Sequence, residues 1–390
     1  MSTITNDIKK LINFKYKSRN DSITDQFNRV LMMKIMLIGA FLTGMSWYKD
    51  EIKCLAPKTP NDHIKLFSSQ ACWINGFYIY KELKTKSNFF GYYGVPIDMN
   101  HNGTTLSNET CVALGGLSKR CKPMTKLFYL QFQWFPFFLG ILALSFYLPY
   151  LLFRYVNGDL LSLKNAIKPQ EPKFDEVIRI YFNRNVNTLT RQHSKIALNI
   201  AVKVGYILVN VFAFLFTDSL LHGEFQSFGL KWFAWIRLSN SKKYNYVGER
   251  FVIKPGESLL PTFGFCDVSE VFLDVKHAIS NDYKLVCEIS QHILYHYVLI
   301  ALWVMLVLGM FVSIIGFLTL LLNYLMPWLS FSSDEIEAKK VYKNCSIRER
   351  DYLTFINKNN MLFYGTLIRK LVEVQKYGGS EKNMGEKVYD

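Results

Sequence analysis

Four long apolar runs, separated by polar and charged stretches, organise this chain. The first is Val30–Trp47 (VLMMKIMLIGAFLTGMSW), interrupted by a single charge at Lys34. The second, Leu127–Phe153, is rich in aromatic residues and carries Pro136 and Pro149. The third, Ile196–Phe216, contains Lys203, and the fourth, Leu294–Leu325, contains no Lys, Arg, Asp or Glu. About 18 helical residues rising 1.5 Å each cover most of a ~30 Å hydrocarbon core, so each run predicts a membrane-spanning helix. Proline is tolerated in such a helix because neighbouring helices can satisfy the carbonyl it frees, so the second run predicts a kinked span. The fourth is long enough to tilt or project before Pro327 stops it. No small-residue cleavage site follows the first run, which argues against a removed signal peptide.

The expected organisation is an all-α membrane protein with four transmembrane helices. An N-terminal segment occupies 1–29 and the spans occupy 30–47, 127–153, 196–216 and 294–326, with loops at 48–126, 154–195 and 217–293 and a C-terminal helical region at 327–390. In the last loop before span four, Tyr244–Ile253 is β-prone, Pro255-Gly256 predicts a turn, and Pro261–Val268 a further strand. The loop at 154–195 and the C-terminal region read as helical: Ser332 and Glu335 fit a capping box, and Leu367–Val374 continues an amphipathic pattern.

Half of the 390 residues are apolar, but the long polar loops dilute that signal, so the local pattern decides the class. The net charge is +15. No zinc-finger spacing, aromatic RNA-binding strand or compact basic helix accompanies it, which argues against nucleic acid. The positive-inside bias explains it better. Segments 1–29, 154–195 and 330–390 hold 25 Lys and Arg in 132 residues; loops 48–126 and 217–293 hold 19 in 156. Both termini are therefore expected in the cytoplasm. Six of the seven cysteines (Cys54, Cys72, Cys111, Cys121, Cys266 and Cys287) lie in the two outer loops, as an oxidising exterior predicts, and Cys345 lies inside. The sequons at Asn102 and Asn108 fall in the first outer loop, whereas those at Asn20 and Asn344 would be cytoplasmic and silent.

Cys54 and Cys72 are 18 apart, and Cys266 and Cys287 are 21 apart. These similar spacings suit a ladder between loops, Cys54 to Cys287 and Cys72 to Cys266; one bridge within each loop is the alternative. Cys111 and Cys121 form an additional local pair. Lys34 and Lys203 are intramembrane charges, expensive unless they face water or a partner. Snorkelling to the nearby interface is the simpler reading for both. His292 and His296 stand at metal-ligand spacing, but no third ligand or catalytic Glu accompanies them, so no metal or cofactor is expected. No Walker loop, nucleophile elbow or paired intramembrane carboxylates point to an enzyme.

Gln133-Trp134-Phe135-Pro136 opens the second span, and Pro261 precedes Phe265-Cys266-Asp267 in the second outer loop. With four spans and two core cysteines per outer loop, this order resembles the innexins, the invertebrate gap-junction proteins related to pannexins. Their signature reads Tyr-Tyr-Gln-Trp-Val, usually followed by Pro; here Gln131, Phe132 and Phe135 replace its first, second and last residues, which marks a divergent member. The resemblance runs to about residue 375. It implies a four-helix bundle per subunit in a large-pore ring of about eight subunits, with small disulfide-linked α/β outer loops and a helical cytoplasmic domain. The ring would be a homo-oligomer, or a hetero-oligomer with other innexins, set in plasma-membrane lipid. It would pass ions and small metabolites passively, as a hemichannel or as a gap junction docked to an apposed cell. The family's N-terminal segment folds into the pore mouth; the matching residues, roughly 1–20, carry Lys9, Lys10, Lys15, Lys17 and Arg19. Lys9, Lys10 and Lys34 are thus the candidate pore-lining cations, biasing permeation toward anions. Residues 86–122 look like extra length, and glycans at Asn102 and Asn108 would obstruct docking. A non-conducting tetraspan adhesion or scaffold protein is the competing reading. The marks of tetraspanins (Cys-Cys-Gly), claudins (Gly-Leu-Trp) and connexins (three close cysteines per loop) are absent.

Overall fold

The computed structural model describes residues 21–47, 52–55, 62–81, 104–106, 109–110, 122–123, 125–168, 174–183, 187–243, 254–273, 278–289, 292–325 and 341–385. The first elements are α1 (Ile23–Gln26), a π-helical stretch (Phe27–Met32), α2 (Met33–Trp47), β1 (Ile52–Leu55), α3 (Asp62–Asn75) and β2 (Phe77–Tyr80). Then come β3 (Thr104–Leu106), β4 (Glu109–Thr110), β5 (Lys122–Pro123), β6 (Lys126–Tyr129), α4 (Gln131–Ser145), α5 (Leu148–Val156) and α6 (Gly158–Ile167). They are followed by α7 (Phe174–Val177), a second π-helical stretch (Ile178–Phe182), α8 (Leu189–Leu220), α9 (Phe225–Ile236), α10 (Asn240–Lys243) and α11 (Pro255–Leu259). The last are β7 (Phe263–Leu273), β8 (Ala278–Ile289), α12 (His292–Leu325), α13 (Ile347–Asn359) and α14 (Met361–Gly385).

Four helical stretches are long and apolar enough to cross a membrane: Ile23–Met45, Gln131–Val156, Leu189–Leu220 and His292–Leu325. Their outward surface is that of a protein solvated by lipid. Phe41 is 56% exposed, Ile141 65%, Leu208 61% and Phe311 62%, the reverse of a water-soluble bundle. Three features differ from the sequence reading. The first helix starts at Ile23, before Val30, because its polar opening residues are buried against partners. Span two starts at Gln131, because Lys126–Tyr129 pairs as a strand with Phe77–Tyr80. Pro255-Gly256 opens a short helix instead of a turn, with proline at the position where its missing N–H costs nothing. The strand expected over Tyr244–Ile253 and the capping box at Ser332 and Glu335 lie outside the described residues.

The contacts divide the chain into two units, and each long helix contributes residues to both. The unit of residues 34–143 and 212–307 is built on a five-stranded antiparallel sheet in the order β1-β8-β7-β2-β6. Its register places Cys54 opposite Cys287 and Tyr78 opposite Phe265. Tyr78, Tyr80 and Phe265 bury one patch of the sheet. A smaller sheet, β4-β3-β5, is formed within the first loop. Span residues of this unit pack closely, with Gly39 set against Leu139 and Val298. After a turn through His222 and Gly223, both at positive φ, α9 buries Phe225, Phe228, Trp232 and Trp235 and lays Gly229 against Trp303.

The unit of residues 1–33, 144–211 and 308–390 has a helical core. Leu163, Tyr181, Val341, Leu353, Ile356 and Leu367 are among its buried residues. Ser346 caps α13: its hydroxyl accepts from the Glu349 N–H, and the Glu349 carboxylate accepts from the Ser346 N–H. This reciprocal box satisfies two backbone donors at the helix start. Buried Cys345 is not in a disulfide.

Candidate functional site

A buried polar seam joins the start of span one to spans three and four. Ser22 caps α1, its hydroxyl accepting from the Asp25 N–H at 3.3 Å. Asp25 then faces Lys203 of α8, whose Nζ lies 2.7 Å from both carboxylate oxygens and 2.7 Å from Ser22 Oγ. Lys203 is 7% exposed, so the snorkelling expectation fails: it spends its charge on a buried partner, Asp25, that precedes the first apolar run. Within the π-helical stretch that follows α1, Asn28 donates to Ser313 Oγ of α12 at 2.9 Å. Asn210 of α8 donates to Asn28 Oδ1 at 2.9 Å and to Ser313 Oγ at 3.1 Å. Gly309 and Gly316 permit this approach, since a Cβ at either would strike Asn210 or Thr24. Arg29 is held by Asp21 at 2.7 Å, with its guanidinium 3.9 Å above the Tyr150 ring. π-Helical segments are rare and gather at functional positions. Here the segment accompanies two inward-turned polar residues, Asn28 and Arg29, both buried. In lipid, each such group must find a protein partner, so the seam defines how span one enters the bundle.

A second polar hub sits in the same unit, gathered from α6, α13 and the first turns of α8. Arg348 is fully buried and donates to Asp159 Oδ1 at 2.8 Å and to Asn157 Oδ1 at 3.0 Å. Asp159 also accepts from Lys195 at 2.7 Å and from the Tyr352 hydroxyl. Burial pushes the Asp159 carboxyl up, but the Arg348 guanidinium and the donors Lys195 and Tyr352 outweigh it and hold it below the usual range. Asp351, 3.4 Å from Arg348, is pushed up to about 6 by burial, against the pull of the same guanidinium.

In the sheet-bearing unit two disulfides form a ladder: Cys54–Cys287 (S–S 2.07 Å) and Cys72–Cys266 (S–S 2.00 Å). Each bridge joins the two loops, not two cysteines of one loop. Cys54, Cys72 and Cys287 are the one metal-compatible cluster among the described residues, and their sulfurs are already bonded to each other or to Cys266. Cys111, Cys121, Asn102 and Asn108 lie outside the described residues, as do Lys9 and Lys10.

The motif at span two has a mechanical explanation. Gln133 Nε2 donates to the carbonyls of Trp73 at 2.6 Å and Ile74 at 3.1 Å, capping the end of α3. Trp134 meets Phe138 edge-on at 5.7 Å. Pro136 sits inside α4 and takes away the N–H that would reach the Phe132 carbonyl. The Tyr295 hydroxyl of α12 donates to that carbonyl instead, at 3.4 Å. Pro149 falls in the first turn of α5, after the helix breaks at Phe146 and Tyr147. His296 donates to the Leu260 carbonyl at 2.9 Å and is spent structurally, while His292 lies 3.8 Å from Glu288. Lys34 differs from Lys203: among the described residues it has neither an ion-pair nor a hydrogen-bond partner. Sequence reasoning missed Asp25, Asn28, Asn210 and Ser313. Their signal was weak, isolated polar residues beside or within apolar runs, whose partners lie far away in the chain.

Comparison with curated proteins yields no match. The sequence profile described as Innexin matches residues 21–374, from the first described residue of the seam to α14. With four membrane-length helices and two disulfides joining its two loops, the chain belongs to the innexin family: it is a multi-pass plasma-membrane protein of the kind that assembles into gap-junction and hemichannel channels.

Proposed function

We propose that the chain is the subunit of a large-pore ring of about eight copies, passing ions and small metabolites passively, with both termini in the cytoplasm and the disulfide-bearing sheet outside. The disulfide ladder supports that orientation, since such bridges persist in oxidising surroundings while Cys345 carries none. The observation that carries the conducting reading is the contrast between the two span lysines. Lys203 is neutralised by Asp25, and Lys34 has no such partner among the described residues. Lys34 stands eleven residues into a helix that begins at Ile23, about 16 Å of rise. A charge at that depth is costly in lipid and cheap in a water-filled conduit. Lys9 and Lys10 then belong to the same conduit, and the three cations favour anions. Glycans on Asn102 and Asn108 would keep the ring an undocked hemichannel. A homo-oligomer is the simplest assembly, and mixed rings with other innexins are compatible with the same faces.

The test is purified protein in planar bilayers and in dye-loaded liposomes. A large single-channel conductance with dye flux is expected. Correctly disulfide-bonded, oligomeric protein that passes neither current nor dye would instead indicate a non-conducting adhesion or scaffold protein.

A further inference from the structure

A cavity of about 630 Å³ opens beside the first turns of α8, lined also by the end of α5, the start of α6 and the second π-helical stretch. Its lining has two characters. Arg191, Ser194 and Lys195 rise from α8, and the Tyr181 hydroxyl joins them, hydrogen-bonded to Ser162 at 2.8 Å. Tyr155 and Leu198 form an apolar margin; Tyr155 is 83% exposed. One acid, Asp159, is in the wall, but Arg348, Lys195 and the Tyr352 hydroxyl already occupy its oxygens. Arg191 has no ion-pair partner among the described residues. The cavity therefore holds a surplus of positive charge and hydroxyl donors beside the positive end of a 32-residue helix. Its apolar margin continues into the exposed apolar side chains of α5, such as Leu151 and Leu152.

A soluble anion would use the charge and leave the apolar margin idle; an amphiphile would use both. We propose that this cavity binds the phosphorylated headgroup of an anionic phospholipid, with its acyl chains running along α5 and α8. The inference rests on the proposed orientation, in which this end of α5 and α8 meets the cytoplasmic membrane surface, where basic pockets collect such lipids. Lys195 gives the site a consequence. A phosphate there competes with Asp159 for the same ammonium, so lipid binding draws on the Arg348 hub that holds α13 to α6.

The test is equilibrium binding to full-length, detergent-purified protein, read by native mass spectrometry. The probes are dioctanoyl phosphatidylinositol bisphosphate, dioctanoyl phosphatidylcholine and free inositol trisphosphate. The anionic lipid should bind tightest. Arg191→Gln should weaken it about fivefold, the effect of one basic contact with an anionic lipid surface. Arg191→Lys should recover most of the loss, and Lys358→Gln, at an exposed position away from the cavity, should change nothing. Equal binding of phosphatidylcholine, or an Arg191→Gln protein that binds like the parent, overturns the proposal. Equal affinity for free inositol trisphosphate overturns the lipid assignment in favour of a soluble phosphate. Binding needs no open pore. Retained binding without conductance therefore sinks the channel reading alone, and normal conductance without binding sinks this one alone.

Discussion

The Nζ of Lys203 lies 2.7 Å from Oδ2 of Asp25, with both side chains more than nine-tenths buried. A pair removed so completely from water is costly to assemble and costlier to break, because either partner alone is an uncompensated charge. It converts a lysine in an apolar run into a clamp on the start of span one.

Breaking the clamp from one side should therefore hurt more than removing it. Asp25→Asn or Lys203→Met should each destabilise the protein by about 3–5 kcal/mol, while the double variant should recover most of the loss. Thermal unfolding of the purified oligomer, followed by size-exclusion chromatography, reads both. Additive single losses would show that the two residues do not interact.

Pro136 and Tyr295 should behave as a linked pair. Tyr295→Phe strips the Phe132 carbonyl of its donor and should cost about 1 kcal/mol. In a Pro136→Ala background the restored backbone N–H takes over that carbonyl, so the same substitution should cost little. A tyrosine effect that is unchanged by the alanine would mean the hydroxyl matters for another reason.

The disulfides span 233 and 194 residues of chain. Closing loops this long restricts the unfolded chain strongly, so reducing both bridges should cost about 4–5 kcal/mol or more. The bridges are nested, so losing Cys72–Cys266 alone should cost less than losing both. Peptide mapping without reductant should recover Cys54 with Cys287 and Cys72 with Cys266. A Cys54–Cys72 peptide would contradict the ladder.

The Arg348 hub predicts a pH dependence with a definite sign. Asp351, raised to about 6, keeps a proton in the folded protein that the unfolded chain loses above about pH 4. That contribution to stability is present below the unfolded value and is lost as pH rises through 6. Asp159 acts oppositely: its lowered pKa stabilises the fold above the ordinary carboxylate range, and the benefit disappears as pH falls through the lowered value. Between pH 5 and 7 Asp351→Asn should therefore flatten the profile and gain up to about 3 kcal/mol at pH 7. Asp159→Asn should cost about 3 kcal/mol at pH 7 by taking from buried Arg348 the closer of its two carboxylates. Hydrogen exchange of the α13 amides at the two pH values measures both.

Charge reversal tests the conduit. Lys34→Glu, and Lys9→Glu with Lys10→Glu, should each move the reversal potential in a salt gradient toward cation selectivity. An unchanged potential in both variants would remove these lysines from the pore. Enzymatic deglycosylation should increase cell–cell coupling if glycans on Asn102 and Asn108 block docking, and unchanged coupling would dismiss that role.

What the sequence determined by itself was whatever hydropathy and residue type encode locally. An apolar run long enough to span lipid is helical wherever it sits, because the bilayer offers its backbone no other hydrogen-bond partner. That reasoning located all four spans, and cysteine spacing brought the ladder into view beside its alternative. Hydropathy could not see that Lys126–Tyr129 pairs with Phe77–Tyr80, since a short apolar stretch suits strand and helix equally. Nor could it see that Asp25 answers Lys203, that Asn28 and Asn210 meet at Ser313, or that Arg348 gathers Asp159 and Asp351. Each of these depends on which helix faces lie together, and a polar side chain acquires its meaning only from the partner that the folded chain brings to it.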